Sequence, residues 1–103
     1  MGRKQHTDIP LKVKMLVGNR DDWNCVICGA PGDPVAHVVN RSQGGLGIEQ
    51  NIVTMCYRCH VRMDNGIGGR ELRDTCEWYL RTKYPGWTRQ RVTYDKWEAL
   101  KHE

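Results

Sequence analysis

The chain has 103 residues, with 16 Lys and Arg against 12 Asp and Glu for a net charge of +4. That length suits a single domain over residues 1–103 with a thin core, a kind that usually leans on a metal or disulfide staple. No apolar run is long enough to cross a bilayer, and the polar start Met1–His6 lacks the apolar stretch of a secretory signal, so a reduced intracellular setting with no membrane partner is expected. The charge is unevenly spread. Residues 1–20 carry five basic side chains and one acid, residues 21–69 three and five, and residues 70–103 eight and six. Basic ends suit phosphate contact, and an acidic centre suits bound cations.

Residues 1–20 read as a basic N-terminal arm followed by a short element. The first eight residues look loose. Ile9 to Val17 alternates like a strand at Leu11, Val13, Met15 and Val17, yet Leu11, Met15 and Leu16 fit one helix face, with Asp8 as cap and Gly18 as stop. Helix is the reading favoured. Cys25-Val-Ile-Cys28-Gly29 then has the form of a metal knuckle, glycine permitting the tight turn after the second ligand. Residues 35–39 form a short β-like run, and residues 41–47, with Gly44 and Gly45, a flexible loop. Residues 51–55 lead to a second knuckle, Cys56-Tyr-Arg-Cys59, and a helix from there to about Asp64, which Asn65-Gly66 ends. In residues 70–103, a C-terminal helical cover, Leu72, Cys76, Tyr79 and Leu80 make one apolar stripe on a helix from Arg70 to Tyr84, stopped by Pro85-Gly86. Thr93 is placed to cap a last helix presenting Trp97 and Leu100. Trp78, Trp87 and Trp97 are expected to pack this cover.

Four of the five cysteines form two Cys-x-x-Cys pairs, 25/28 and 56/59. Each spacing lets two thiolates face one ion, and two such pairs complete a tetrahedron around a structural zinc. Disulfides disagree with a reducing setting, and a redox motif would account for one pair only. Cys76 lies on the helix stripe and is expected to act as a small hydrophobe.

The residues between and beside the knuckles extend this beyond a zinc module. Ala36-His37-Val38, Arg41-Ser-Gln-Gly44-Gly45, Asn51-Ile-Val and Met55-Cys56-x-x-Cys59-His60 follow the first knuckle in order. Taken together, residues 20–65 resemble the His-Asn-His (HNH) endonuclease family, in its small stand-alone zinc-stapled form, some members of which are phage- or prophage-encoded. The resemblance implies an α+β fold with a ββα-metal core over residues 21–66. It also implies metal-dependent hydrolysis of DNA phosphodiesters, with DNA as partner. His37 would be the general base, because a neutral imidazole accepts a proton at cellular pH. Asn51 would fix loop geometry or hold the His37 ring. His60 would bind a catalytic divalent cation, Mg2+, Mn2+ or another. The family usually carries Asp or His directly before the base, where this chain has Ala36. Asp64, four residues after His60, shares its helix face and is the proposed replacement ligand; Asp33 and Glu49 are weaker ones. Arg41, Arg58, Arg62, Lys12 and Lys14 are expected to meet phosphates. A non-catalytic zinc module that binds nucleic acid stays open as an alternative, with Ala36 in its favour. So does a phage packaging accessory, since small members of the family often lie beside terminase genes and would have terminase or packaging proteins as partners. The expected location is the cytoplasm of a bacterial or phage-infected cell, as monomer or homodimer.

Overall fold

The computed structural model describes residues 6–95. Helix α1 spans Leu11–Arg20, strand β1 Asp33–His37, strand β2 Ile52–Met55, helix α2 Tyr57–Asn65 and helix α3 Gly69–Lys83, with short 3-10 turns at Arg41–Gln43 and Gln90–Val92. β1 and β2 pair antiparallel, Ala36 opposite Val53 and His37 opposite Ile52, with an irregularity between Asp33 and Ala36. The result is the expected small α+β architecture, a two-stranded sheet followed at once by a helix.

The sheet divides the core in two. Successive β2 side chains point to opposite faces. Ile52 packs with Val13 and Val17 of α1. Val53 and Met55 face the other way, into a larger cluster with Ala36, Cys59 and Met63 of α2, and Cys76 and Leu80 of α3. All four β2 residues are buried for this reason. A strand covered on both faces reads as a continuous apolar run, as Ile52-Val53-Thr54-Met55 nearly does.

Several expectations are corrected in α1. The helix starts after Pro10, whose extended backbone and missing N–H suit that position, and Asp8 is not its cap. It also runs through Gly18. A Cβ there would lie 2.5 Å from the Trp23 indole, so this glycine admits a ring rather than ending a helix. The chain turns instead at Asp22 and Trp23, two non-glycine residues with positive φ, while the Trp23 N–H reaches back to the Gly18 carbonyl at 2.8 Å. The buried face is Val13 and Val17. Leu11, Met15 and Leu16, the face expected inside, are exposed at 74, 47 and 52%.

α3 matches its stripe: Cys76 and Leu80 are buried, and Leu72 and Tyr79 pack against the core. Cys76 behaves as a core hydrophobe, and burial pushes its thiol up to about 12. The tryptophans divide. Trp87 is buried with its indole N–H on the Gln50 carbonyl at 2.6 Å, whereas Trp78 faces solvent and packs no cover. Thr93 follows the last 3-10 turn and bridges to Gly45; the helix expected after it, with Trp97 and Leu100, lies outside the described residues.

A buried polar knot ties these elements together. The Asp21 carboxylate, at the end of α1, accepts from the Thr54 N–H at 3.0 Å, from the Tyr79 hydroxyl and from Arg20 at 2.7 and 2.9 Å. Arg20 also donates to the carbonyls of Glu49 and Ile52, each at 2.8 Å. Tyr84 donates to the Glu49 carboxylate at 2.9 Å, so Glu49 serves this knot. Burial works to raise the Asp21 pKa, but the bonds from Arg20, Tyr79 and Thr54 together outweigh it and hold the carboxyl below its ordinary value.

Candidate active site and metal cluster

Two knuckles bring the four cysteines to one point. The first knuckle turns through Gly29, at φ +81°, and its Val26 N–H is tied to the Thr54 carbonyl at 3.0 Å. The second begins at Cys56, the N-cap residue of α2, and places Cys59 in the first turn of that helix. The four sulfurs lie within 4.8 Å of one another. A tetrahedral zinc with bonds of about 2.3 Å needs sulfur separations of roughly 3.8 Å, and Cys28 and Cys56 stand 3.6 Å apart. Electrostatics point the same way. Burial works to raise Cys25, yet the N–H groups of Cys28, Cys56 and Ile27 outweigh it and bring the thiol down to about 7. Burial, and then the neighbouring sulfurs, push Cys59 up to about 12. Four thiolates this close repel unless a cation lies between them. The cysteines form a metal-binding cluster that fits zinc.

On another part of the surface, Asp8, Ile9, Lys14, Val35, His37, Arg41 and His60 line a cleft of about 550 Å3. His37 ends β1, and strand alternation sends it toward the cleft while Ala36 turns into the core. The position that usually carries a second ligand thus faces the core. The His37 ring bonds through Nε2 to the Thr7 carbonyl at 2.7 Å. A carbonyl only accepts, so Nε2 carries the hydrogen and Nδ1 keeps the basic lone pair. Burial lowers the His37 pKa below its ordinary 6.5; the Thr7 carbonyl works against that, and His60 adds to it. The ring is neutral at pH 7 and able to take a proton.

Asn51 is fully buried. Its amide oxygen accepts from the Val39 N–H at 2.8 Å, and its NH2 donates to the carbonyls of Val39 at 3.2 Å and Leu46 at 2.9 Å. Both donors are used, so none is left for the His37 ring, and the side chain braces the loop from residue 39 to 46. That loop is built rather than loose. A Cβ on Gly45 would lie 1.7 Å from the Val39 carbonyl oxygen, which makes glycine obligatory there.

His60 sits one turn into α2, half-buried, with Nε2 3.2 Å from the Asp64 carboxylate. Asp64 also meets Arg73 of α3 at 3.4 Å. His60 lines the cleft and Asp64 does not. Among the expected phosphate contacts, Lys14 and Arg41 line the cleft, Arg41 paired with Asp8. Arg58 and Arg62 instead border a second hollow beside Cys28, Cys56 and Cys59. Lys12 is exposed on α1 and lines neither. Asp33 is exposed at the start of β1.

Two parts of the site were not foreseen. The segment at residues 6–8, expected to be loose, is fixed: Thr7 is buried, the Gly47 N–H bonds to the His6 carbonyl at 2.9 Å, and Asp8 walls the cleft together with Ile9. Nothing in a polar terminal segment marks it as a wall. Arg73 was also missed, though a signal existed. With Cys76 and Leu80 it falls at i, i+3 and i+7, a charge on the flank of an apolar stripe.

Comparison with known families agrees with this geometry. The family model of the HNH endonuclease matches residues 25–66, from the first knuckle through the end of α2. Neither the curated proteins nor the solved structures yield a match. The matched segment holds both knuckles, both strands, His37, Asn51, His60 and Asp64; the cleft walls at Asp8, Ile9 and Lys14 lie outside it. Over residues 25–66, then, this chain is similar to the HNH endonuclease family, and it carries there a four-cysteine metal-binding cluster.

Proposed function

We propose that the protein hydrolyses DNA phosphodiester bonds, with His37 as general base, a divalent cation held at His60, and zinc as the ion of the cysteine cluster. The observation that carries this reading is that His37 and His60, from β1 and α2, line one cleft with two basic side chains, Lys14 and Arg41. In the reaction a water oxygen attacks phosphorus and gives its proton to Nδ1 of His37. The bond from phosphorus to the 3′ oxygen breaks, and the electron pair leaves with that oxygen. Thr7 holds the imidazole in the tautomer that makes Nδ1 the base. Asn51 is a positioning residue, acting through the loop that follows His37. Lys14 and Arg41 bind the phosphodiester backbone. Bound at His60, Mg2+, Mn2+ or a similar ion supplies electrostatic stabilisation of charge on the phosphate and the leaving oxygen. Among the described residues no second cluster of three ligating side chains accompanies the cysteines. Water and phosphate oxygens would complete the shell of an ion held at His60, which suits a hard cation.

The test is nicking of supercoiled plasmid by zinc-loaded protein with Mg2+, Mn2+ or Ni2+. Wild type is expected to cleave, and His37→Ala to lose about 100-fold or more, the usual share of a general base. Wild type no faster than His37→Ala in every metal refutes the reading. A second reading, a non-catalytic DNA-binding module, is favoured by Ala36, whose methyl offers no ligand. DNA retention without cleavage would select it.

A further inference from the structure

Behind the cleft, three side chains on two helices form a line. Arg73 of α3 meets Asp64 Oδ1 at 3.4 Å, and Asp64 Oδ2 meets His60 Nε2 at 3.2 Å. The same guanidinium donates from Nη1 to the His37 carbonyl at 3.3 Å and to the Val38 carbonyl. Its side chain is 14% exposed. One arginine thus grips the strand end that carries His37 and the carboxylate that faces His60. It belongs to α3, beyond the family-matched segment.

The chemistry of the line fixes its direction. A carboxylate oxygen only accepts, so a neutral His60 ring in this contact would carry its hydrogen on the nitrogen facing Asp64 and leave the lone pair to Nδ1. Each Asp64 oxygen already has a partner, and a dication bound there would lie beside a guanidinium, like charge against like. Only His60 of the three reaches the cleft lining.

We propose that Asp64 and Arg73 are positioning residues for His60. Asp64 fixes the tautomer and orientation of the ring, and Arg73 fixes Asp64 and its spacing from His37, leaving the cation to Nδ1 of His60. Such outer partners commonly set the affinity of a histidine for its metal. This rests on His60 as the cation site, the reading given above.

The experiment uses the zinc-loaded full chain labelled with 15N. Long-range 1H–15N spectra at alkaline pH read the His60 tautomer, and the electron spin resonance of free Mn2+ reads uptake of a second metal. Wild type is expected in the Nε2–H form. Asp64→Asn keeps an accepting oxygen and is expected to keep both the tautomer and Mn2+ uptake. Asp64→Ala is expected to mix the tautomers and weaken Mn2+ about 10-fold. Arg73→Lys should restore much of what Arg73→Met loses, and Arg73→Met should add nothing in the Asp64→Ala background. A wild-type His60 in the Nδ1–H form overturns the proposal, as does an Asp64→Asn that loses Mn2+ as fully as His60→Ala. Wild type that takes up no Mn2+ refutes His60 as a cation site and with it the positioning role toward a metal; an intact tautomer effect would then mark Asp64 as structural.

Discussion

The cysteine cluster and the histidine cleft are built on opposite plans. Every ligand of the cluster comes from one short loop and the start of α2, inside residues 25–59, and the four sulfurs converge there. The cleft draws on residues 6–9, α1, β1, the loop at Arg41 and α2, and its His37 ring is held by the Thr7 carbonyl. A staple repeated from local spacing needs little from the rest of the fold. A cleft assembled from five segments is only as ordered as the packing between them. The polar knot at Asp21 and the grip of Arg73 supply that packing order.

Variants can break this contrast, beginning with the largest effect. Stripping the metal with a chelator, or Cys59→Ser, should unfold the domain, since structural zinc contributes on the order of 10 kcal/mol in small domains. Circular dichroism with and without chelator checks this; an apo chain that keeps its fold would refute the staple. Next is Asp21→Ala. It leaves Arg20 without its carboxylate and the Thr54 N–H without an acceptor, and should cost about 3 kcal/mol in denaturant unfolding. The acid response follows from the same site. The Asp21 pKa is depressed in the folded state, so its stabilisation is present above the ordinary carboxylate pKa and is lost as pH falls through the lower folded value. Unfolding midpoints of wild type should fall in that acid range, and those of Asp21→Asn should fall less.

A smaller effect concerns the cleft alone. Because burial lowers the His37 pKa below its ordinary 6.5, the acid limb of kcat/KM for the proposed cleavage should lie below that value. A limb above pH 7 would assign the titration to another group. The smallest expected effect is at Lys14. Lys14→Ala should lower the slope of log affinity for DNA against log salt by about one, the value of one phosphate contact. An unchanged slope would move the DNA track away from the cleft, toward Arg58 and Arg62 beside the cluster.

How far the sequence carried the reading follows the same division. The knuckles were legible because ligand spacing is local: two residues between thiols and a glycine after the second. β1, α2 and α3 were legible from apolar patterning and from Asn65-Gly66 and Pro85-Gly86, while residues 51–55 were read only as a lead into the second knuckle. The buried face of α1 was misread because the helix packs on the far side of the sheet through two valines, and patterning alone does not tell which stripe of a short helix meets a partner. His37 and His60 were legible in order along the chain, while Thr7 and Arg73 were not. A backbone carbonyl has no sequence signature, and the place of Arg73 on the flank of the α3 stripe marks a charge near the core without telling which strand it bonds.

The most direct test is an anomalous diffraction map of zinc-loaded crystals soaked in Mn2+. The expected map has a zinc peak among Cys25, Cys28, Cys56 and Cys59 and a separate manganese peak in the cleft against His60. Manganese found only at the cysteines, or nowhere, would contradict the separation of structural and catalytic metal.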